Sequence, residues 1–175
     1  ALATWIAAAT GLVAQRRMSP TRLIGGGARQ LPSQTSLSRG ALQQAIEALR
    51  HPDAAEKTHI AEALDWVRAT TLQRSVVFVL SDLHDPEAID ARRRLSQGHD
   101  VAVIELQDPA ESGLTRGGFY RGSEAETGQH FLGSSKTAWG IDSEKGRRGD
   151  LAEGGIDHLL LKTNQDFISP VRRFL

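Results

Sequence analysis

The run Ser75-Val76-Val77-Phe78-Val79-Leu80 limits what this chain can fold into more than any other stretch. A strand with one wet face alternates apolar and polar residues; this one is apolar from Val76 to Leu80, so it must be covered on both faces. Asp85-Pro86-Glu87 then supplies a helix start: an N-cap acceptor, a proline at the first helical position and a carboxylate in the first turn. That helix is expected to continue to Gln97, and residues 101–106 form a second apolar strand. Strand, helix and strand within about thirty residues make a right-handed βαβ unit, which places a parallel sheet at the core.

The remaining elements extend this pattern. Leu2, Trp5, Ile6, Ala9, Leu12 and Val13 recur at helical spacing, so a first helix presents that face to the core. Residues 20–24 read as a short strand ended by Gly25-Gly26-Gly27, with residues 28–31 returning as an edge strand. Ser38 caps a helix through Arg50 with Leu42, Ile46 and Leu49 facing inward, and a helix over residues 58–72 buries Ile60, Leu64 and Val67 beside Trp66. Residues 118–121 and 129–132 read as a hairpin outside the main sheet, and residues 134–151 as an exposed helix or irregular segment. Residues 156–162 are another buried strand, and Ser169-Pro170 starts a closing helix over 167–175. Helix alternating with parallel strand is the doubly wound, Rossmann-like α/β class, here as one domain over residues 1–175.

Charge and composition exclude several functions. Lys+Arg and Asp+Glu are 21 each, so no overall field draws the chain to nucleic acid or an anionic membrane. The absence of Cys excludes disulfides, thiolate metal sites and a Cys nucleophile. The Ala-rich opening, residues 1–14, is too short to span a bilayer and lacks the flanks of a signal peptide, which points to a cytoplasmic protein or the cytoplasmic part of an anchored one. The chain starts at Ala1 directly in a helical pattern and reads as a fragment with a segment upstream.

Ligands of open α/β sheets bind outside the carboxyl ends of the strands. The residues there are Ser81 and Asp82, then Gln107 and Asp108, then Thr163 and Asn164. Asp82 stands out, because Asp85 takes the capping duty of the next helix and leaves Asp82 without a structural one. Thr58 opens the preceding helix, and an N-cap role would explain it alone; together with Asp82 and Ser81 it offers the hydroxyl and carboxylate oxygens that Mg²⁺ prefers. The six histidines form no i, i+4 pair and read as surface or loop residues, and Arg92-Arg93-Arg94, Arg147-Arg148 and Arg172-Arg173 read as solvated helix faces. The glycine triplet lacks the further residues of a phosphate loop and reads as a turn.

These residues resemble the von Willebrand factor type A (vWA) domain family. Lys57-Thr58-His59-Ile60-Ala61-Glu62-Ala63-Leu64 is similar to the second segment of its metal-ion-dependent adhesion site, and Ser81-Asp82 after the strand to the third. A closer likeness is to bacterial, uncharacterised vWA-like proteins often encoded beside MoxR-type AAA+ ATPases, which carry a stretch like Val76-Val77-Phe78-Val79-Leu80-Ser81-Asp82-Leu83-His84-Asp85-Pro86. Segments like Asp108-Pro109-Ala110-Glu111, Gly155-Ile156-Asp157-His158-Leu159 and Arg172-Arg173-Phe174-Leu175 follow in the same order, so the likeness runs from about Arg39 to the end. The resemblance implies Thr58 as a direct metal ligand, Asp82 as a direct or water-mediated one, and a partner's carboxylate completing the sphere. The chain departs from the pattern in two ways. The first metal segment, Asp-x-Ser-x-Ser, is absent and belongs upstream of Ala1, and Glu56-Lys57 precede Thr58 where many vWA domains have glycines. A missing central strand would leave a gap between residues 20–24 and the strand 75–80. The expected function is a non-enzymatic protein-interaction module with a partial Mg²⁺ site at Thr58, Ser81 and Asp82, working with an AAA+ ATPase. The alternative is a small Mg²⁺-dependent α/β hydrolase or phosphatase-like enzyme using Asp82.

Overall fold

The computed structural model describes residues 2–27, 31, 34–51, 58–83, 85, 87–108, 119–123, 130–134, 149, 151–152 and 154–175. In chain order the elements are α1 (Leu2–Arg16), α2 (Arg39–Leu49), α3 (Ile60–Thr70), β1 (Val76–Ser81), α4 (Glu87–Ser96), β2 (Asp100–Gln107), β3 (Phe119–Ser123), β4 (His130–Ser134), β5 (Asp157–Lys162) and α5 (Ile168–Phe174). The main sheet is parallel with the order β1-β2-β5, paired from Val76 with Asp100 to Ser81 with Glu105, and from Ala102 with Asp157 to Gln107 with Lys162. Helices cover both faces, as the unbroken apolar strands require. On one face Leu64 and Val67 of α3 and Ala91 and Leu95 of α4 pack with Val79, Val101 and Val103. On the other, Ile6 of α1 and Val171 of α5 cover Ile104 and Leu161, with Phe78, Leu80 and Leu106 half-buried around them. This is the expected α/β class. The β3–β4 pair is an antiparallel two-stranded sheet of its own, the expected hairpin shifted by one or two residues.

Caps fix the helix ends. Ser38 accepts from the Ala41 N–H to start α2, and Asp85 Oδ1 accepts from the Glu87 N–H at 2.9 Å to start α4. The closing helix begins before Ser169-Pro170, because Asp166 Oδ1 accepts from the Ile168 N–H at 3.0 Å and sets the first turn there.

Two expectations about the amino-terminal half are corrected. Of the face proposed for α1 only Ile6 is buried; Trp5, Leu12 and Val13 are exposed, and Gly11 and Gln15 are the other buried positions. The covered face turns along the helix, from the sheet at Ile6 to α2 at Gly11. A Cβ on Gly11 would stand 2.8 Å from a Leu42 methyl, and Gln15 Nε2 donates to the Ser38 carbonyl. Residues 20–24 are not a strand: they contribute an isolated bridge between Thr21 and Ser36, and Arg22 lies over the Trp66 ring of α3. This segment therefore crosses α3 rather than joining the sheet, and Pro20 has no N–H to offer a ladder. The expected edge strand at 28–31 falls mostly outside the described residues, as do residues 134–151 apart from a few. Among the described residues no strand pairs with the second edge of β1, where Val76 is 61% exposed.

Two ion pairs at the surface tie neighbouring elements, α3 to α4 and the start of β1 to the start of β2. Arg94 of α4 makes a forked pair with Asp65 of α3 at 3.1 and 2.7 Å, and Arg74 reaches Asp100 at 2.6 Å. Hydrogen bonds from Arg94 and Arg74 are the main cause holding Asp65 and Asp100 below the usual carboxylate pKa. A carboxylate with a depressed folded-state pKa contributes stability above its unfolded pKa of about 4, and that contribution is lost as pH falls through the folded value. Thermal melts should therefore show midpoints declining below about pH 4, and Asp65→Asn with Asp100→Asn should flatten that decline. Both groups are exposed, so the effect is small.

Candidate functional site

The carboxyl edge of the sheet is built from the ends of β1 and β2 and the starts of α3 and α4. β1 stops in a tight turn. Ser81 is buried and its Oγ accepts from the Leu83 N–H at 3.0 Å, while Leu83 takes φ 61°, a left-handed conformation that costs a branched residue about 1–2 kcal/mol. Burial of the Leu83 side chain in the core offsets that strain. The turn sends Leu83 inward and leaves Asp82 exposed between two inward-facing neighbours. Thr58 reaches the same edge by a different route. Gly26 lies where a Cβ would stand 2.9 Å from Ile60, which lets the glycine segment run against the first turn of α3; Gly27 bridges Thr58 and the Gly26 carbonyl accepts from the His59 N–H. The N-cap of α3 is His59, so Thr58 sits one residue before it, exposed, and is not the cap. Since α3 leads into β1 and α4 leads out of it, both helices start at the carboxyl edge, which puts Thr58, Ser81 and Asp82 at one end of the sheet.

Beneath them lies a buried charged cluster that the sequence reading missed. Glu105 of β2 stands beside Ser81 in the sheet and is 1% exposed. His158 of β5 lies within 2.8 Å of it, Nε2 to Oε2. Arg92 of α4 is also 1% exposed, and its Nε and Nη2 are buried with no hydrogen-bond partner among the described residues. Burial works against the Arg92 charge and pulls its pKa down, while the charges of Asp85, Asp82 and Glu105 oppose that shift. The reading of Arg92 as a solvated residue is thus corrected, and so is that of His158 and of His99, which is buried and accepts from the Ser75 N–H. The signal for Arg92 was its phase: Ala88, Ala91, Arg92 and Leu95 form the buried stripe of α4 at i, i+3, i+4 and i+7. Glu105 was legible the same way, two residues past Val103 on a strand whose alternate positions share a face.

The donor set at this edge for a divalent ion is the Asp82 carboxylate with the hydroxyls of Thr58 and Ser81, and the Ser81 oxygen already accepts a backbone hydrogen bond. Among the described residues no three His, Cys, Asp or Glu side chains come together to hold a metal. The residues fit a water-rich ion and not a full protein cage. A shallow open depression of about 750 Å³ runs along β5 past Asp157, His158, Leu160, Lys162 and Gln165, at the outer edge of the sheet and away from Asp82. No helix among the described residues is long and apolar enough to cross a membrane.

The profile of a family described as "Protein of unknown function DUF58" matches residues 1–138. The match covers most of the chain, and the chain belongs to that family. Neither the curated proteins nor the solved structures give a match.

Proposed function

We propose, with membership of the DUF58 family as the premise, that the chain is a vWA-like, non-enzymatic interaction module whose carboxyl edge docks a partner protein. Asp82 is its central contact, and Thr58 and Ser81 are the other oxygen donors of a partial Mg²⁺ site. The observation that carries this reading is the turn after β1. A strained, buried Leu83 and a buried Ser81 hold Asp82 outward, while the helix that follows is capped by Asp85. A carboxylate held outward at the carboxyl end of a parallel strand stands where ligands of open α/β sheets bind. When bound, Mg²⁺ would supply a positive centre that a partner's carboxylate can share, with Asp82 and Thr58 orienting it from this side. The resemblance to vWA-like proteins encoded beside MoxR-type AAA+ ATPases supplies the partner class.

Calorimetric titration with Mg²⁺ and Mn²⁺ tests the site. Asp82→Ala is expected to weaken binding about tenfold or more, and Thr58→Ala by less, with thermal midpoints within a few degrees of wild type because both positions are exposed. Capture of a purified MoxR-type ATPase is expected to fall with Asp82→Ala. Equal ion binding and equal capture by wild type and Asp82→Ala would remove Asp82 from the site.

A further inference from the structure

The carboxyl edge carries three carboxylates, Asp82, Asp85 and Glu105, and Arg92 lies on the stripe of α4 that packs on the β2 face bearing Val101, Val103 and Glu105, buried to the same 1% exposure as Glu105. Desolvating an arginine to 1% exposure is costly, and two of its donors have no partner there among the described residues. Nε and Nη2 form the side-on fork of the guanidinium, the edge that receives the two oxygens of a carboxylate. Nothing apolar about the position explains the residue. Ala88, Ala91 and Leu95, its neighbours on the buried stripe, would accept a methionine or leucine in the same place without that cost. What the position offers a positive charge is the carboxylates.

We infer that Arg92 is the resident cation of the carboxyl edge: it balances Asp82, Asp85 and Glu105 from inside the sheet, as a divalent ion would from solvent, and sets how tightly Asp82 holds such an ion. The inference rests on the proposed role of Asp82. It follows from the chain's own residues that the edge does not need a metal to keep its acids in place, and that an ion arriving at the exposed Asp82 must work against a fixed positive charge buried beneath it. Arg92 acts through Asp82 and is therefore a positioning residue. Histidine 158, bonded to Glu105, faces the same cluster from β5.

The test compares Mn²⁺ affinity, read from the free-ion spin-resonance signal, in Glu105→Gln and in Glu105→Gln with Arg92→Met. The glutamine background avoids leaving an unbalanced buried carboxylate and keeps a partner for His158, so the difference between the two proteins reports the guanidinium. Mn²⁺ is expected to bind at least about tenfold tighter once Arg92 is gone. Arg92→Lys, which retains the charge, should match wild type within about twofold. A purely structural role would leave Arg92→Met unchanged or weaker in Mn²⁺ binding, and either result overturns the inference. Adding Asp82→Asn separates the two claims. If the gain survives it, the ion does not sit at Asp82 and the proposed site fails. If Asp82→Asn weakens wild type but Arg92→Met brings no gain, the site stands and the role of Arg92 falls. No binding by any form at millimolar Mn²⁺ overturns both.

Discussion

Glu105→Leu is expected to destabilise the protein by about 3–5 kcal/mol, and Glu105→Leu with Arg92→Met to recover most of that loss. The asymmetry follows from burial. Both side chains are 1% exposed, so removing the carboxylate alone leaves a guanidinium with less compensating charge and the His158 ring without its acceptor. Removing both charges leaves two long apolar side chains between α4 and β2, next to Leu95 and Val103, which are themselves fully buried. Replacing a buried pair by apolar residues of like volume is often neutral or better, because the desolvation cost of both ions disappears. Urea unfolding of the four proteins in the cycle measures the coupling, expected at about 2 kcal/mol or more. Additive effects would mean that Glu105 is not what balances Arg92.

That cluster also marks where the sequence stops being readable by pattern alone. The sheet was legible because Val76 to Leu80 and Val101 to Ile104 leave no polar position for a wet face, and because Asp85 can cap only one helix. Its order β1-β2-β5 and parallel register follow from the same βαβ logic. The α1 face was not legible. Alanines fill so much of that helix that the apolar pattern has little contrast, and the buried side is chosen by what it meets: Ile6 by the sheet, Gly11 by Leu42 and Gln15 by the Ser38 carbonyl. Residues 20–24 were misread because Leu23 and Ile24 look like a strand, whereas the contact that places them is Arg22 on the Trp66 ring, between residues 44 positions apart that no local window joins.

At the site the same division holds. The place of Ser81 and Asp82 at the carboxyl end of a parallel strand was legible from the run that precedes them. Arg92 was hidden in a run of three arginines whose shared charge suggested water. Only the helical phase distinguishes it from Arg93 and Arg94, and Arg94 does face solvent, in its fork with Asp65. His158 was hidden by a different effect. Three leucines follow it and dominate the strand's appearance, so its polar group looked incidental until Glu105 was placed two residues beyond its pairing partner Val103, within hydrogen-bond reach.

Ile6→Ala gives the second large effect, and it tests the corrected face of α1. Ile6 is 0% exposed and is the one large apolar side chain that α1 buries completely. It covers Ile104 of the central strand β2 and Leu161 of β5, so the vacated volume would lie between a helix and a rigid β-surface that collapses poorly. The expected cost is in the upper part of the range of about 2–5 kcal/mol for such truncations. Trp5→Ala and Leu12→Ala, one and six residues away on the same helix, should stay within about 0.5 kcal/mol of wild type, because Trp5 is 68% exposed and Leu12 is exposed as well. Had the face proposed from spacing been the buried one, Trp5→Ala would be the worst of the three. Amide exchange separates the cases further: Ile6→Ala should speed exchange through α1 while β2, held on its other face by α3 and α4, stays protected, since α1 is fastened to the sheet at that side chain and to α2 at Gly11.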